Sequence, residues 1–322
     1  MYLITGITGQ DGVFLTRNIL SKDSNAKIVG TSRSSKTKQF YKNLQYLDKN
    51  INVENIDLVK DDLLDSNKIL ELLRRYNPEK IINLSGPSSV YESLDSESKS
   101  YETIKIIFKN LSNACIESNN LPVFFQASSS EMFNQNTNIP LDENTQFSPS
   151  SPYAKAKHEI HMELDNLRKQ YDWNINSGIM FNHESEFRND EYLFMKIINS
   201  AIKIKNGDKH TVKLGSLDVI RDWSYASDFS EAIFRIVADD IGDDYIIGSG
   251  EGNSIKSLVE NVFNYFDLNW ELYITVDENL LRPGDPEKII SNPKKILDKL
   301  GWKTETSFEK LIEKCIKYQI QY

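Results

Sequence analysis

The feature that most constrains the fold of this chain is its opening run. The apolar stretch MYLIT passes into GITGQDG and then into a helical pattern from Val13 to Leu20. Gly6, Gly9 and Gly12 fall three residues apart in that turn. A glycine triplet by itself is a weak signal, and its place between a strand and a helix is what gives it weight. Without Cβ atoms the backbone can approach a bound group closely. The free N–H groups and the positive end of the helix dipole then favour a pyrophosphate. The sequence therefore predicts a dinucleotide site around Gly6, Thr8, Gly9, Gln10, Asp11 and Gly12.

The same alternation continues. KIVGTS from Lys27, KIINLS from Lys80, VFFQAS from Val123, INSGIMF from Ile175 and YIIGSG from Tyr245 read as strands, with a further strand expected before Asp62. Between them, Asp65 or Ser66 can cap a helix whose buried face carries Ile69, Leu70, Leu72 and Leu73. Ile104–Ile116, Ala154–Tyr171 and Tyr192–Ile204 read as helices; the tail after YIIGSG has helical stretches and ends with NPKKILDKLGW and a final helix from Phe308. Thr211 to Asp228 reads as a short strand and a loop. Strand and helix in alternation predict an α/β fold, a Rossmann-type doubly wound parallel sheet with a smaller, interleaved C-terminal lobe. The expected division is 1–181 for the dinucleotide-binding domain, with 211–248 returning to it, and 182–322 mainly for the second lobe.

Composition narrows the function classes. The chain has 322 residues and a net charge of −9, which argues against a general nucleic-acid binder. Cys115 and Cys315 lie far apart without metal-ligand spacing and read as free thiols of a reducing compartment, and no metal is expected. No apolar run is long enough to span a membrane. MYLITG is already a strand and leaves no room for a signal peptide, so the expected location is cytoplasmic.

Strand two ends GTSRSS, where an NAD site usually places an acid for the ribose 2′-hydroxyl. Arg33 beside Ser32, Ser34 and Ser35 suits a 2′-phosphate instead, which favours NADP over NAD. Asp62 and Leu63 are expected to border the adenine. Tyr153 and Lys157, four residues apart in SPYAKAK, share one helix face. An ammonium beside a phenol favours phenolate, so Tyr153 is expected to exchange a proton near neutral pH. A strand ending ASSSE supplies Ser129, whose hydroxyl can share a substrate oxygen with Tyr153. Glu131 turns the reading toward dehydration. Once a sugar C4 is oxidised, the neighbouring C5–H is acidic, and a carboxylate can take that proton and then protonate the departing C6 hydroxyl.

These stretches resemble the GDP-mannose 4,6-dehydratase family along nearly the whole chain. That family belongs to the extended short-chain dehydrogenases, whose glycine spacing is also G-x-x-G-x-x-G. ITGQDG, ASSSE, SPYAKAK, FNHES, LGSLDVIRDW, RPGD and KLGWKTETSFEKL carry the likeness. It implies an NADP-dependent hydro-lyase with a smaller substrate lobe, acting on GDP-mannose or a close GDP-sugar and assembling as a homo-oligomer, dimer or tetramer. Carried over by position, Ser129, Glu131, Tyr153 and Lys157 form the catalytic set. Leu84, His183 and Arg188 fall on the cofactor side, while Ser88, Asn182, Lys196, Arg221 and Arg282 fall where the sugar nucleotide is held. As paired cations, Arg221 and Arg282 suit a diphosphate. The chain departs from the family at Pro87, for a glutamine near the sugar, at Asn134, for a glycine, and at Phe187, for an arginine in a loop that binds cofactor across subunits. These departures leave a related substrate such as a GDP-heptose open. Two other readings also stay open: epimerisation or 4-keto reduction on the same fold, and an NADP-binding protein without activity.

Overall fold

Seven of the short apolar runs join one parallel sheet. The computed structural model describes residues 1–32, 37–86, 97–133, 140–281 and 286–322, with backbone alone at 97–100. The first part of the chain lays down β1 (Tyr2–Thr5), α1 (Gln10–Lys22), β2 (Ile28–Thr31), α2 (Thr37–Leu47), β3 (Ile56–Val59), α3 (Ser66–Tyr76), β4 (Lys80–Asn83), α4 (Glu97–Glu117), β5 (Val123–Ser129), α5 (Pro152–Tyr171) and β6 (Ile175–Met180). There follow β7 (Asn182–Glu184), α6 (Leu193–Lys205), β8 (Val212–Leu214), β9 (Ile220–Arg221), β10 (Trp223–Tyr225), α7 (Ala226–Ile236) and β11 (Asp244–Ile247). The rest comprises β12 (Asn253–Ser254), α8 (Ile255–Tyr265), β13 (Ile274–Val276), β14 (Lys288–Ile289), α9 (Lys294–Leu300) and α10 (Phe308–Gln321).

Among the described residues the large sheet has seven strands in the order β11-β6-β5-β4-β1-β2-β3, and every pairing is parallel. This is the doubly wound order, with its switch point beside β1. Both faces are covered, which is why the strands are apolar almost throughout rather than alternating. On one face Ile4, Val13, Phe40, Phe229 and Trp302 pack together; on the other, Leu3, Ile69, Leu111, Ile160 and Trp173 do. α1 packs on α7, and α4 packs on both α3 and α5.

Local chemistry sets the helix ends. Asp65 caps α3 by accepting from the backbone N–H groups of Asn67 (3.1 Å) and Lys68 (3.3 Å), the cap expected from the sequence. α1 starts at Gln10, before the expected Val13, because Gln10, Asp11 and Gly12 form a first turn without apolar side chains and so lie outside the apolar stripe. Two helices were not expected. α2 carries only Phe40 and Leu44 as buried apolar residues, a sparse stripe among lysines and amides. α7 buries Phe229, Ala232, Ile233 and Ile236 at helical spacing directly after a strand.

The second lobe has its own core, with Phe194, Ile198, Trp223, Leu258, Phe263, Phe308 and Ile312 packed between α6, α8 and α10. The expected short strand and loop at 211–228 is instead three strands and the start of a helix. β8 pairs with β13 inside the second lobe, so the chain re-enters the large sheet through α7 and β11. No described helix is long and apolar enough to cross a membrane.

One fully buried acid joins these pieces. Asp222 sits between β9 and β10 and accepts from the backbone N–H groups of Ser249 (2.9 Å), Gly250 (3.0 Å) and Ser291 (3.1 Å). The hydroxyls of Ser249 and Ser291 donate to it as well, each at 2.5 Å. Removing the carboxylate would leave the buried N–H of Ser291 and the part-buried N–H of Ser249 without this acceptor, and two hydroxyls with them. Asp222→Ala is therefore expected to lose about 3–5 kcal/mol of stability, measured as a lowered urea midpoint, whereas Asp218→Ala on the exposed preceding loop should leave the midpoint nearly unchanged.

Candidate active site

The glycine turn lies at the carboxyl end of β1, the edge of a doubly wound sheet where ligands bind. Gly6 has φ +69°, and a Cβ there would meet the Leu84 carbonyl at 3.0 Å. A Cβ on Gly12 would lie 2.3 Å from the Ile7 carbonyl, so only glycine lets α1 seat this closely on the turn. Gly9 caps α1 and supplies no side-chain acceptor to the first-turn N–H groups. Those donors need a partner from outside the helix, and an anion fits the need. Beside them Thr8 Oγ1 and Ser32 Oγ are 2.9 Å apart. Leu84 follows β4, its N–H donating to Thr5 O at 3.3 Å. Asp62 accepts from Leu64 N–H, and Leu63 is buried with its carbonyl taking the Asn110 amide at 3.1 Å. These residues fit a dinucleotide along the strand ends. Arg33 and Ser34 lie outside the described residues.

A second layer of charge supports the turn. His183 Nε2 lies 3.1 Å from Asp11 Oδ1, and its Nδ1 lies 2.8 Å from Phe181 O. A carbonyl only accepts, so Nδ1 carries a hydrogen. Burial works against charge on both partners, but each outweighs it for the other: the Asp11 carboxyl is held low and the His183 imidazole is raised. The His183 ring stacks on Phe229 at 4.4 Å. Gln10 donates to His183 O at 3.1 Å and accepts from Ser185 Oγ at 2.8 Å. His183 thus braces the first turn of α1 from the side of β7. Arg188 pairs with Glu184 at 3.2 Å and lies 3.6 Å over the Tyr192 ring. Burial raises the Glu184 carboxyl, with Arg188 pulling it the other way. Sequence reading singled out Arg188 and missed Glu184, although their spacing of four residues was visible. Phe187, the departure from the family arginine, packs on Phe14 (5.3 Å), Tyr318 (5.5 Å) and Tyr46 (6.0 Å).

The structure brings the four expected catalytic residues to one place. Ser129 ends β5, and the Glu131 N–H donates to its hydroxyl at 3.3 Å in the following short helical turn. Ser151 caps α5 by accepting from Ala154 N–H at 3.1 Å, and Pro152 opens the helix, which sets Tyr153 in its first turn. Tyr153 is buried, hydrogen-bonded with Ser129 and within the field of Glu131. Lys157 Nζ stands 5.7 Å from the Tyr153 ring centre and donates to Ala127 O at 2.7 Å.

The electrostatics differ from the simple expectation for this pair. Burial pushes the Tyr153 phenol up to about 12, outweighing the Ser129 hydrogen bond. Burial also brings Lys157 down to about 8. The ammonium points to a backbone carbonyl, so it does not by itself drive the phenol to phenolate. Burial at this position therefore favours the neutral phenol of Tyr153.

The residues expected around the sugar nucleotide are more dispersed. Asn182 opens β7, in register with Trp223. Lys196 on α6 donates to Lys213 O at 3.4 Å, and the nearly buried Arg221 donates to Ile220 O (2.9 Å) and Pro286 O (3.0 Å). Ser88 and Arg282 lie outside the described residues, as do Pro87 and Asn134.

Comparison with known proteins adds to this geometry. Residues 3–315 match the family described as GDP-mannose 4,6 dehydratase. GDP-mannose 4,6 dehydratase 2 of Arabidopsis thaliana is 31% identical over 325 residues, covering 99% of this chain and 86% of the relative. The Homo sapiens GDP-mannose 4,6 dehydratase is 32% identical over 344 residues, covering 99% and 91%. The fold is shared with dTDP-glucose 4,6-dehydratase from Streptomyces venezuelae, solved with NAD and TYD bound (TM-score 0.86, 18% identity, 99% and 97% covered). It is shared too with RMD from Pseudomonas aeruginosa, solved with NADPH (TM-score 0.81, 18% identity, 100% and 99% covered).

In protein carrying 13C-labelled lysine, one lysine Cε signal should titrate near pH 8. Because its charged form is disfavoured, it loses its proton earlier than the exposed lysines as pH rises. Lys157→Met should remove that signal; a wild-type spectrum in which every lysine titrates above pH 10 would contradict the burial argument.

Proposed function

The chain belongs to the GDP-mannose 4,6-dehydratase family, and from that premise we propose that it removes one water from GDP-mannose, or a close GDP-sugar, to give the 4-keto-6-deoxy sugar nucleotide. It is a hydro-lyase of the extended short-chain dehydrogenase type. The observation that carries the reading is Glu131 in the turn directly after Ser129, close enough for its charge to act on Tyr153. A simple oxidoreductase needs the serine, the tyrosine and the lysine. Elimination of water needs a further carboxyl that can both take and give a proton.

NADP, when bound along the strand ends, supplies reversible hydride acceptance between C4 and C6 of the sugar, with no net consumption. Arg33 and Ser34 after β2, where an NAD site would carry an acid, support NADP over NAD. Gly6, Thr8, Gly9, Gln10, Asp11 and Gly12 would hold the pyrophosphate side, with Asp62, Leu63 and Leu84 bordering the nucleoside. His183 and Arg188 would keep the first turn of α1 in place beneath it.

Ser129 and Tyr153 hold the C4 oxygen; Tyr153 first gives its own proton to solvent and, as phenolate, then takes the proton of the C4 hydroxyl. Lys157 stabilises the phenolate once the phenol is close to both groups. Glu131 removes the C5 proton and gives it to the leaving C6 oxygen, which departs as water; C5 then takes up one proton as hydride reaches C6, balancing the proton that Tyr153 took from the C4 hydroxyl, so both side chains end each turnover as they began. Asn182, Lys196 and Arg221 in the second lobe, with Ser88 and Arg282, are assigned to the sugar nucleotide. Two arginines suit its diphosphate through charge-assisted hydrogen bonds. The family resemblance implies a homo-oligomer, dimer or tetramer, and Phe187, packed on Tyr318 of its own chain, favours a dimer over an assembly built through that loop.

Incubation with NADP and a panel of GDP-mannose and GDP-heptose, read by mass spectrometry, should give a product lighter by one water without accumulation of oxidised or reduced cofactor. Glu131→Gln should bind NADP as the wild type does and lose elimination by about 10²–10⁴-fold. Normal elimination by that variant would remove Glu131 from the base role, and net consumption of NADPH with a keto-sugar would move the assignment to a 4-keto reductase.

A further inference from the structure

Lys157 is an ammonium that the core has largely desolvated, and its hydrogen-bond acceptor is a backbone carbonyl rather than a carboxylate. That carbonyl has a second donor. Gln126 Nε2 reaches Ala127 O at 2.9 Å while Lys157 Nζ reaches it at 2.7 Å. Gln126 is itself held from across the sheet: Asn83 Nδ2 donates to Gln126 Oε1 at 2.8 Å, and Thr5 Oγ1 donates to Asn83 Oδ1 at 2.6 Å. Ser85 Oγ adds a donor to the same Asn83 oxygen at 2.6 Å. Thr5, Asn83 and Gln126 are all buried.

The direction of this chain is not arbitrary. A backbone carbonyl can only accept, so the Gln126 amide must turn its NH2 to Ala127 O and its oxygen to Asn83. The Asn83 amide is then fixed as donor to Gln126, and its oxygen is left for the hydroxyls. The register explains where the chain begins. Asn83 is the last residue of β4 and stands opposite Gln126, so the strand pairing on that side stops at this point. The side chains of Asn83 and Gln126 carry the connection one residue further, to the carbonyl that receives Lys157.

We propose that Gln126, oriented by Asn83, is a positioning residue for Lys157, holding the Ala127 carbonyl at the angle and place where it anchors the ammonium beneath Tyr153. It touches neither substrate nor cofactor in this role. The inference rests on the proposed function of Lys157 beside Tyr153. Burial fills the same interior in a purely structural alternative, so the test needs readouts that folding alone does not move.

Gln126→Met keeps length and volume and removes both hydrogen bonds. Asn83→Asp keeps the acceptor for Thr5 and Ser85 but presents an acceptor to Gln126, which turns the amide over and takes its NH2 away from Ala127. Both variants are to be measured as the full chain with NADP and GDP-mannose. The expected result is kcat lowered about tenfold with KM within about twofold of wild type, since the ammonium is misplaced but substrate contacts remain. In Gln126→Met the Lys157 Cε signal should also titrate lower, because a hydrogen bond favouring the charged form has weakened. The circular dichroism spectra should match wild type. Unchanged kcat and unchanged Lys157 titration would overturn the proposal, and so would a loss of activity that only follows a loss of folded protein or a rise in KM. If wild-type protein leaves GDP-mannose intact, the proposed function fails, and the Lys157 titration in Gln126→Met still decides the positioning role.

Discussion

Asp222 is a buried acid that accepts from the backbone and hydroxyls of Ser249, Gly250 and Ser291, donors that lie 27 to 69 residues away along the chain, besides the nearby Ser224 hydroxyl. β9 and β10 flank it, the loop after β11 caps it, and the segment after β14 closes it. Gly248 faces the same knot, and a Cβ there would meet Ser291 Oγ at 2.4 Å. Apolar packing between the second lobe and the large sheet tolerates sliding. A fully satisfied buried network does not, because any shift leaves backbone donors without partners. Arg221 precedes Asp222 directly, so the knot that fixes the lobe also fixes a cation assigned to the substrate.

Burial has opposite effects on the two members of the tyrosine–lysine pair. It raises the phenol to about 12 and lowers the ammonium to about 8, so two proton affinities that are ordinarily close move apart. Burial alone thus disfavours both charged forms, and contacts from a bound reactant would have to offset it before Tyr153 could act as a base. Nearby, Asp11 with His183 and Glu184 with Arg188 bury two acids with two bases. Removing one partner from either pair would leave an uncompensated charge in the interior, a far larger loss than the pair contributes as a whole.

Much of the site was legible because its signals are local. The glycine turn, Asp65 before its helix, the strand ends and the Tyr153–Lys157 spacing each depend on residues a few positions apart. Glu131 was legible for the same reason, two residues after Ser129. What escaped depends on distance in sequence. Nothing near Asp222 announces that its donors come from Ser249, Gly250 and Ser291. The Thr5–Asn83–Gln126 chain crosses three strands whose adjacency only the sheet order reveals. α2 and α7 were missed because a sparse apolar stripe and a strand running straight into a helix both blur the period. Residue type alone does not tell how deeply the Tyr153–Lys157 pair is buried.

The aromatic setting of Phe187 alters what kind of force holds the loop that carries His183 and Arg188. Rings from α1, α2 and α10 surround it, with Tyr46 and Tyr318 themselves in contact at 4.9 Å. An arginine at this position would grip by a field that reaches outward and fades as counter-ions accumulate. A phenyl ring among tyrosines grips only on contact and takes little notice of ionic strength, but its hold loosens on cooling as the hydrophobic driving force weakens. The loop under the glycine turn is thus fastened by an attachment that salt leaves alone and cold relaxes.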